Sequence, residues 1–583
     1  MRQTAAMQHP APRALALLGL LATAPFAQEQ PNVIVVITDD QGYGDIAAHG
    51  NEMIRTPHLD ALHAQSVRLT DFHVDPTCSP TRSALMSGRY STRTGVWHTI
   101  MGRSLMDGRE RTLAEVLRDG GYDTGMFGKW HLGENAPMRP IDQGFRTATY
   151  HGGGGVGQGP DWFGNDYFDD TYFRDGVPEA FEGYCTDIWF DEAMAFIAEE
   201  REGPFFCYLS TNAPHGPLLV EERWSQPYAE AGVAGNQSKF YGMIENIDWN
   251  MGRLVGRLDE LGLSEDTLLL FMTDNGTAFG EVNRQRAEEG LWAGFGAGMR
   301  GKKGSEYDGG HRVPSFWRWP AGGIGGGRDE GVLSAHIDVL PTIAELCGVE
   351  RGLGPPIDGS SLAQRLRDPQ HPLPERTLFV HSQRLREVEK WRKCAVMTER
   401  WRLVNGRELY DIQADPAQAS DLAESQPEVV AELRAAYEGW WESLSPVFDH
   451  DVRIHLGDPA EALTQLHPHD WQVAPNEQCS WHQNHVRNGH MGQGSWYVDV
   501  RRGGTYEFEL RRWPRHQERA VEAVAARLQV GEAQWEADTD PEASAARFEV
   551  ELEAGASTVK TWFRLPEDGG ERGAYFVYVR YLD

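Results

Sequence analysis

The feature that most constrains the fold is the run Asn32–Thr38 (NVIVVIT), an unbroken series of mostly β-branched residues that leads into two aspartates. Such a run, without polar alternation, predicts a strand that is buried on both faces of a sheet. Further apolar runs at Tyr122–Phe127, Phe205–Ser210 and Leu268–Met272 alternate with segments of helical periodicity. This βαβα order predicts an α/β fold with a mostly parallel central sheet flanked by helices.

Residues after about 366 have a different pattern. Thr377–Ser382 and Ala395–Asn405 are typical of antiparallel strands, and Pro427–Leu444 has helical periodicity. These features predict a smaller α+β subdomain with an antiparallel sheet. From residue 451 onward, period-two apolar patterning and Gly-rich turns indicate an appended all-β, sandwich-like module. The predicted organisation is a leader over 1–27, the main α/β domain over 28–365, the α+β subdomain over 366–450 and the β module over 451–583.

The first residues are typical of an export signal. Arg2 and Arg13 form a basic flank, and an apolar run from Ala14 to Phe26 ends in small residues. That run is too short for a transmembrane helix and predicts a signal peptide, so we expect a periplasmic or secreted protein. An apolar leader that is never cleaved is the alternative. The later sequence contains no stretch apolar enough to predict stable membrane insertion.

Charge and cysteine content narrow the class of protein. The formal net charge of −31 predicts repulsion from nucleic acid and from anionic membranes. Six cysteines in 583 residues are too few for a disulfide framework. Cys207 and Cys347 lie in apolar runs and are predicted to be buried thiols.

Acidic and amide side chains follow two of the predicted strands. Asp39 and Asp40 end the first, and Asp274 and Asn275 follow the strand at Leu268–Met272. Adjacent carboxylates repel one another unless a cation lies between them, and hard oxygen ligands favour Ca²⁺ or Mg²⁺. Either pair alone could simply cap a strand end. The same chemistry at two strand ends predicts a shared metal site.

Basic residues follow the same kind of strand ends. Lys129 and His215 come shortly after predicted strands, as Asp39, Asp40 and Asp274 do. Ligands of parallel sheets gather at the carboxyl ends of the strands, so we expect these side chains to converge on one site. Taken singly, a lysine is usually solvated and a histidine is usually a hydrogen-bonded structural residue.

Cys78 begins a predicted helix (Cys78-Ser79-Pro80-Thr81-Arg82), with Pro80 in its first turn. A cysteine at a helix N-terminus beside an arginine has an electrostatically favoured thiolate. Without further context, this thiol could be only modestly acidic and have no catalytic role.

The sequence from Cys78 resembles the signature of the type I sulfatases of the alkaline phosphatase superfamily, which is Cys-x-Pro-x-Arg followed by a Gly-Arg pair. Cys78, Pro80, Arg82, Gly88 and Arg89 match it. Thr81 stands for the commoner Ser and Met86 for the commoner Leu, and neither change is expected to block recognition by the converting enzyme.

The resemblance extends over nearly 400 residues. The further segments that are similar to family motifs are Asp39–Asp45, Gly128–Gly133, Pro214-His215, Thr273–Gly276, Lys303–Ser305 with Asp308–Pro314, Ile337–Thr342, Asp358–Leu362, Glu408–Asp411 and Asp415-Pro416. Asp308 replaces the commoner Glu.

The resemblance implies a sulfatase in which a formylglycine-generating (maturase) partner oxidises Cys78 to formylglycine. It also implies one Ca²⁺ ion, bound by Asp39, Asp40, residue 78, Asp274 and Asn275. In the family mechanism a hydroxyl of the hydrated aldehyde attacks sulfur, and elimination then releases sulfate. The implied roles of the other site residues are anion neutralisation by Arg82, Lys129 and Lys303, leaving-group protonation by His215 with Lys303, and proton abstraction by His131. These cations supply the local positive charge that an acidic chain needs in order to bind a sulfated small molecule or glycan.

Two other functions stay open from the sequence. A phosphodiesterase or phosphonate monoester hydrolase could use the same fold, and some relatives of that type also carry formylglycine. A catalytically silent sulfoglycan-binding protein would leave Cys78 unconverted.

Several conspicuous residues are better explained by structural roles than by ligand binding. Trp471, Trp481 and Trp496 could stack on sugars, but they are better explained as core residues of the β module. Gly152–Gly155 lacks phosphate-loop spacing and is predicted to form a flexible rim of the pocket. The irregularly spaced His482, His485 and His490 are interpreted as structural or solvated.

Overall fold

The run Asn32–Thr38 forms a strand near the middle of a ten-stranded sheet in the computed structural model of the protein. Its side chains alternate between two apolar clusters on opposite faces of the sheet. Val33, Val35 and Ile37 pack into one cluster, whereas Ile34 and Val36 pack into the other. Both faces are therefore covered by protein, which is why this strand contains no polar alternation.

The strands of this sheet, together with one small neighbouring pair, cover the first part of the chain. They are β1 (Asn32–Thr38), β2 (Val67–Leu69), β3 (Phe72–His73), β4 (Asp123–Lys129), β5 (Thr147–His151), β6 (Thr171–Arg174), β7 (Val177–Ala180), β8 (Phe205–Ser210), β9 (Thr267–Thr273), β10 (Ser315–Arg318), β11 (Arg328–Glu330) and β12 (Ser334–Ala335). The large sheet has the order β11-β2-β10-β9-β1-β8-β4-β5-β6-β7, and β3 pairs with β12. The five neighbours from β9 to β5 are parallel, so their carboxyl ends meet at one edge. The predicted mostly parallel sheet is confirmed.

Helices cover both faces of the sheet. The α-helices of the described chain, including α11 and α12 of its C-terminal parts, are α1 (Pro57–Gln65), α2 (Cys78–Ser87), α3 (Leu113–Asp119), α4 (Cys185–Ile197), α5 (Glu222–Glu230), α6 (Gly235–Glu260), α7 (Arg284–Glu288), α8 (Asp308–His311), α9 (Val339–Leu346), α10 (Ala363–Arg367), α11 (Pro427–Phe448) and α12 (Gln483–Arg487). Helices α2, α3 and α9 pack on one face, and α1, α4 and α6 pack on the other. Helix α2 ends at Gly88, whose φ of 69° is a left-handed conformation that glycine adopts without strain.

The C-terminal α+β region contains a four-stranded antiparallel sheet of β13 (Leu378–His381), β14 (Cys394–Met397), β15 (Trp401–Val404) and β16 (Glu408–Asp411). The expectation of one strand over Ala395–Asn405 is wrong, because β14 and β15 form a hairpin within it. A turn at 398–400 reverses the chain, and Trp401 N donates to the Thr398 hydroxyl at that turn. Helix α11 packs on this sheet.

The last part of the chain forms two sheets. Their strands are β17 (Ile454–Leu456), β18 (Thr464–Leu466), β19 (Ser495–Val500), β20 (Gly504–Arg511), β21 (Ala525–Val530), β22 (Ala533–Asp538), β23 (Ala546–Leu552), β24 (Gly555–Arg564), β25 (Glu571–Arg572) and β26 (Phe576–Tyr581). One sheet has the order β17-β19-β24-β21-β22, with β25 beside β24, and the other has the order β18-β26-β20-β23. They enclose a common apolar core, in which Trp471 and Trp496 are fully buried. These two tryptophans are therefore core residues, and Trp481 packs against the same core.

The structure describes Met1 and residues 30–474, 477–566 and 569–583. The predicted signal peptide, apart from Met1, lies outside the described residues. Within the described ranges, no helix has the length and apolar character needed to cross a bilayer. All six cysteines are buried thiols, Cys207 and Cys347 included. Pro31–Asp583 folds as one unit, and the predicted boundaries at 365 and 450 stay predictions.

A buried charge network joins the C-terminal sheet to the main sheet. Arg402, on β15, pairs with Asp71 (Nη2–Oδ1, 2.6 Å) and with Asp308 (Nε–Oδ1, 3.2 Å), and its side chain is fully buried. His73 accompanies Asp71, with its Nε2 2.9 Å from an Asp71 oxygen. Arg402 compensates the charge of both carboxylates, which would otherwise be costly to bury.

Replacing Arg402 with methionine should destabilise the protein by about 3–5 kcal/mol, since it removes the buried guanidinium that pairs with two buried carboxylates. Urea denaturation measures this change. The matched control is Arg400→Ala, because Arg400 is exposed and pairs with Asp411 at the surface, which is worth less than about 1 kcal/mol. Equal unfolding midpoints for R402M and the wild type would contradict the structural role assigned to Arg402.

Candidate active site

Four oxygen-bearing side chains meet where β1 and β9 end. Thr38 and Thr273 are partners in the parallel register, so Asp39-Asp40 and Asp274-Asn275 leave the sheet side by side. Asp40 N donates to Asp274 Oδ1 (3.1 Å), and Asn275 Nδ2 donates to Asp40 Oδ1 (3.0 Å). All four residues are buried. The two predicted acidic pairs therefore form one cluster, which we call the acidic cluster.

Residue 78 lies against this cluster. Helix α2 begins at Cys78, and its thiol lies with one carboxylate oxygen each from Asp39 and Asp274 in a group whose atoms are all within 4.8 Å of one another. Arg82 follows one helical turn later and therefore faces the same side of α2. Its Nη2 donates to Asp274 Oδ2 at 2.8 Å, and its Nη1 donates to the hydroxyl of Ser210 at the end of β8.

Two lysines balance the remaining acidic charge. Lys129, the last residue of β4, places its Nζ 2.5 Å from Asp39 Oδ2. Lys303 places its Nζ 2.5 Å from Asp40 Oδ1. Burial opposes the charged form of Lys303, but Asp40 and its acidic neighbours raise the pKa of Lys303 above its usual value. Lys303 is therefore charged, and both lysine side chains lie beside the acidic cluster in a chain whose net charge is strongly negative.

His131 is held in one tautomer. Its Nε2 lies 2.9 Å from the carbonyl oxygen of Thr99, and a carbonyl can only accept, so Nε2 carries the proton. Its Nδ1 is buried and has no hydrogen-bond partner among the described residues. Burial and the charge of Lys129 lower the pKa of His131 well below its usual value. The neutral ring therefore has an unprotonated Nδ1 that can accept a proton.

His215 lies on the other side of the acidic cluster. Its Nδ1 donates to the carbonyl oxygen of Gly216 (2.7 Å), and its Nε2 lies 3.8 Å from Asp40 Oδ2. Burial and the charge of Lys303 lower the pKa of His215 to about 3. His215 is therefore neutral at physiological pH.

The acidic cluster fits a hard divalent cation. Asp39 Oδ1 and Asn275 Oδ1 are buried oxygens without a hydrogen-bond partner in the described part of the chain. Burial and the carboxylate of Asp274 raise the pKa of Asp39 well above its usual range, even with Lys129 beside it. A cation bound by these oxygens would satisfy both atoms and relieve the repulsion between the carboxylates. Oxygen ligands of this kind suit Ca²⁺.

A model of the sulfatase family matches residues 31–349, more than half of the chain. The chain belongs to the sulfatase family. Arylsulfatase A of Homo sapiens is 31% identical to this sulfatase over 469 residues, which cover 73% of this chain and 85% of that protein. N-acetylgalactosamine-6-sulfatase of Sus scrofa is 30% identical, covering 61% of this chain and 69% of that one.

A solved structure shares the fold of this sulfatase. The crystal structure of Ps i-CgsB in complex with k-i-k-neocarrahexaose superposes with a TM-score of 0.62 and 25% identity, covering 71% of this chain and 93% of that chain. As a sulfatase, the protein is an enzyme that hydrolyses sulfate esters.

Every site residue predicted from the sequence reaches this one region. Sequence reasoning missed several partners that position them, because these come from distant or featureless segments: Thr99, Ser210 and His469. No signal in the sequence marks Thr99, which acts through its backbone carbonyl.

The glycine run at 152–155 lies directly over the two histidines. A Cβ at Gly154 would come 2.7 Å from Cε1 of His131, and a Cβ at Gly155 would come 2.7 Å from Nδ1 of His215. Any side chain at either position would therefore have to displace an imidazole. The sequence alone predicts only a pocket rim here, whereas the close contact with the histidines explains why these positions need glycine.

The C-terminal β module contacts this glycine loop and the site. Gln483 N donates to the carbonyl oxygen of Gly157 (2.9 Å), and Gly159 N donates to that of Trp481 (3.0 Å). The ring of His469 lies 6.0 Å, centroid to centroid, from that of His131. The His469 backbone oxygen also accepts from Met101 N at 2.8 Å. The module therefore supports the catalytic region directly.

Replacing Gly155 with alanine should lower kcat roughly ten- to a hundredfold, because the added methyl group displaces His215 by a fraction of an ångström or more. Steady-state hydrolysis of an aryl sulfate measures the effect. Gly159→Ala is the matched control, since its Cβ would meet nothing closer than 3.7 Å. If both variants kept wild-type kcat, the position of His215 would not depend on this loop.

Proposed function

We propose that this sulfatase hydrolyses sulfate esters of carbohydrates, with residue 78 in the formylglycine form and one Ca²⁺ ion at the acidic cluster. The observation that carries the proposal is that the Cys78 thiol lies against the same acidic cluster with which three basic residues pair, namely Arg82, Lys129 and Lys303. The proposed nucleophile, the metal site and the cations that would bind the sulfate group therefore lie close enough together to act on one sulfur atom.

Asp39, Asp40, Asp274 and Asn275 would hold the ion, with residue 78 completing the ligand set. When present, the ion and the hydrated formylglycine supply a nucleophilic hydroxyl at neutral pH and a route for releasing sulfate with return of the aldehyde. The residues of the chain then position the ester and move its protons.

Arg82, Lys129 and Lys303 neutralise the sulfate oxygens. Arg82 and Lys129 are fully buried, and the Lys303 side chain is 18% exposed, so their charges are little screened by water. Each is held by an acidic partner, which orients it before substrate arrives. Preorganised cations of this kind stabilise the charge that develops on the sulfate oxygens in the transition state.

The two histidines have different proton roles. His131 presents an unprotonated Nδ1, which suits removal of a proton from residue 78. A sulfate anion beside His215 opposes the effects that lower its pKa and favours the protonated ring. Protonated His215, together with the charged Lys303, can then donate to the leaving oxygen, so that the products are an alcohol and sulfate.

The carbohydrate substrate is inferred from relatives. One relative of this chain is named N-acetylgalactosamine-6-sulfatase, and one structure to which it is similar was solved in complex with k-i-k-neocarrahexaose. Formation of the aldehyde requires a formylglycine-generating enzyme as a partner. Export to the periplasm or the exterior stays a prediction from the apolar leader.

The conversion of Cys78 should be visible in the mass of the peptide that contains it. In the active protein this peptide loses one sulfur and two hydrogen atoms and gains one oxygen. Cys78→Ala should reduce aryl sulfate hydrolysis roughly 10³-fold or more, since it removes the nucleophile. Cys394→Ala is the control, because it removes a buried thiol of β14 and should leave the aldehyde intact.

The same assay separates the competing functions. An aryl phosphodiester cleaved faster than an aryl sulfate would favour a phosphodiesterase. An unconverted Cys78 in protein made together with a formylglycine-generating enzyme, with no hydrolysis of either ester, would favour a silent binding protein.

A further inference from the structure

The glycine loop over the two histidines carries a polar side chain that the mechanism has not used. Six of the eight residues from 152 to 159 are glycine, and the other two are Val156 and Gln158. Val156 is buried in the apolar cluster on one face of the large sheet, whereas Gln158 is half-buried. These eight residues therefore offer a ligand their backbone and the carboxamide of Gln158.

The carboxamide of Gln158 lies beside both histidines. The point that a Cβ at Gly154 would occupy is 2.7 Å from His131 Cε1 and 2.8 Å from Gln158 Oε1. The corresponding point at Gly155 is 2.7 Å from His215 Nδ1 and 2.8 Å from Gln158 Nε2. The two ends of one amide therefore lie next to the two rings that move protons in the proposed reaction.

The backbone of Gln158 is held from both sides. Gln158 pairs with His482 of the β module in an antiparallel bridge, through the hydrogen bonds of the residues that flank it. Within the loop, Gln158 N donates to the carbonyl oxygen of Gly155 (2.9 Å), and Asp161 N donates to that of Gln158 (2.7 Å). A side chain on a backbone fixed in this way loses less conformational entropy when it binds a ligand.

The carboxamide of Gln158 itself is free to bind a ligand. Within residues 30–474, 477–566 and 569–583, no group hydrogen-bonds it. A carboxamide presents a donor at one end and an acceptor at the other. Since a sulfate oxygen can only accept, it would use one end and be repelled by the other. A hydroxyl group both donates and accepts, so a sugar hydroxyl can use both ends.

We propose that Gln158 is a specificity-determining residue that hydrogen-bonds a sugar hydroxyl next to the sulfate ester. His215 is the proposed donor to the leaving oxygen, so a group beside its ring lies near the part of the sugar that carries this oxygen. The favoured substrates are then carbohydrate sulfates with a free hydroxyl on a carbon that neighbours the ester. This inference rests on the proposed sulfate-ester hydrolysis and names a feature of its substrate.

The test replaces Gln158 with methionine, which keeps the length of the side chain and removes both hydrogen-bonding ends. The substrates are an aryl sulfate, the galactose or glucose monosulfate that the wild type hydrolyses fastest, and the deoxy analogues of that sugar, each lacking one hydroxyl beside the ester. Gln158→Met should lower kcat/KM for the sugar sulfate about tenfold, because a hydrogen bond in a partly buried site is lost.

For the aryl sulfate, and for the deoxy analogue that lacks the recognised hydroxyl, kcat/KM should change less than about twofold. The matched control is Gln226→Met, because Gln226 is exposed on α5 and its carboxamide donates only to Glu230 at the surface. It should leave every kcat/KM unchanged.

Three results would overturn the proposal. Equal losses for the sugar sulfate and the aryl sulfate would mean that Gln158 acts by holding the histidines in place. The other two are no loss for any substrate, and equal losses for the sugar sulfate and all of its deoxy analogues. A wild type that hydrolyses the aryl sulfate, but neither hydrolyses nor binds any of the sugar monosulfates, would overturn it as well.

Calorimetric titration into Cys78→Ala separates this inference from the catalytic proposal. In that background, Gln158→Met should weaken binding of the sugar sulfate about tenfold and leave the binding of inorganic sulfate unchanged. That result would support the role of Gln158 even if the wild type hydrolysed no sulfate ester. Unchanged binding of the sugar sulfate refutes the role of Gln158 while leaving the hydrolytic function intact.

Discussion

Repulsion between buried carboxylates is the constraint on which the rest of the site depends. Asp39, Asp40 and Asp274 lie together because β1 and β9 are adjacent parallel strands that end at the same level. Burial removes the water that would screen their charges, so cations must be supplied from elsewhere in the chain. Arg82, Lys129 and Lys303 supply them from one helix, one strand end and one loop. The arrangement that compensates these buried carboxylates also gathers three basic side chains at one site.

Much of this arrangement could be predicted from the sequence, because each part has a local signal. The unbroken apolar run of β1 indicates a buried parallel strand, and such strands bring their carboxyl ends to one edge. Polar residues placed directly after those strands are therefore expected to meet. Cys78 and Arg82 share one helical face because they are four residues apart. These rules are short-range in sequence, and they predict that Asp39, Asp40, Asp274, Lys129 and His215 converge. The nucleophilic role of Cys78 and the place of Lys303 are implied only by the family resemblance.

The rest depends on contacts that have no local signal. The hairpin between β14 and β15 was missed because Ala395–Asn405 contains no glycine or proline at its turn. The glycine run at 152–155 could be recognised as unusual, but its packing on His131 and His215 comes from the tertiary fold. Thr99 contributes a backbone oxygen, which any residue could supply. The role of His469 depends on how a segment more than 300 residues away from His131 packs against it.

Contacts between distant segments show that the C-terminal β module packs against the region that holds the candidate active site. Leu105, Met138 and Phe163 of the catalytic region are buried in the same apolar cluster as the module's core residues. Gln483 and Trp481 hold the glycine loop that covers His131 and His215. The module is therefore a structural part of the active site, and its loss would disturb the histidines even if it bound no sugar of its own.

The central claim is that the acidic cluster binds one divalent cation beside residue 78. Anomalous X-ray scattering from crystals of the matured enzyme, grown with Ca²⁺, tests it most directly. The account predicts one anomalous peak in contact with Asp39, Asp40, Asp274 and Asn275, with Lys129 and Lys303 moved away from the carboxylate oxygens that the ion takes. An enzyme that is fully active in the same crystals, with no peak and with both lysine–aspartate pairs intact, would contradict it.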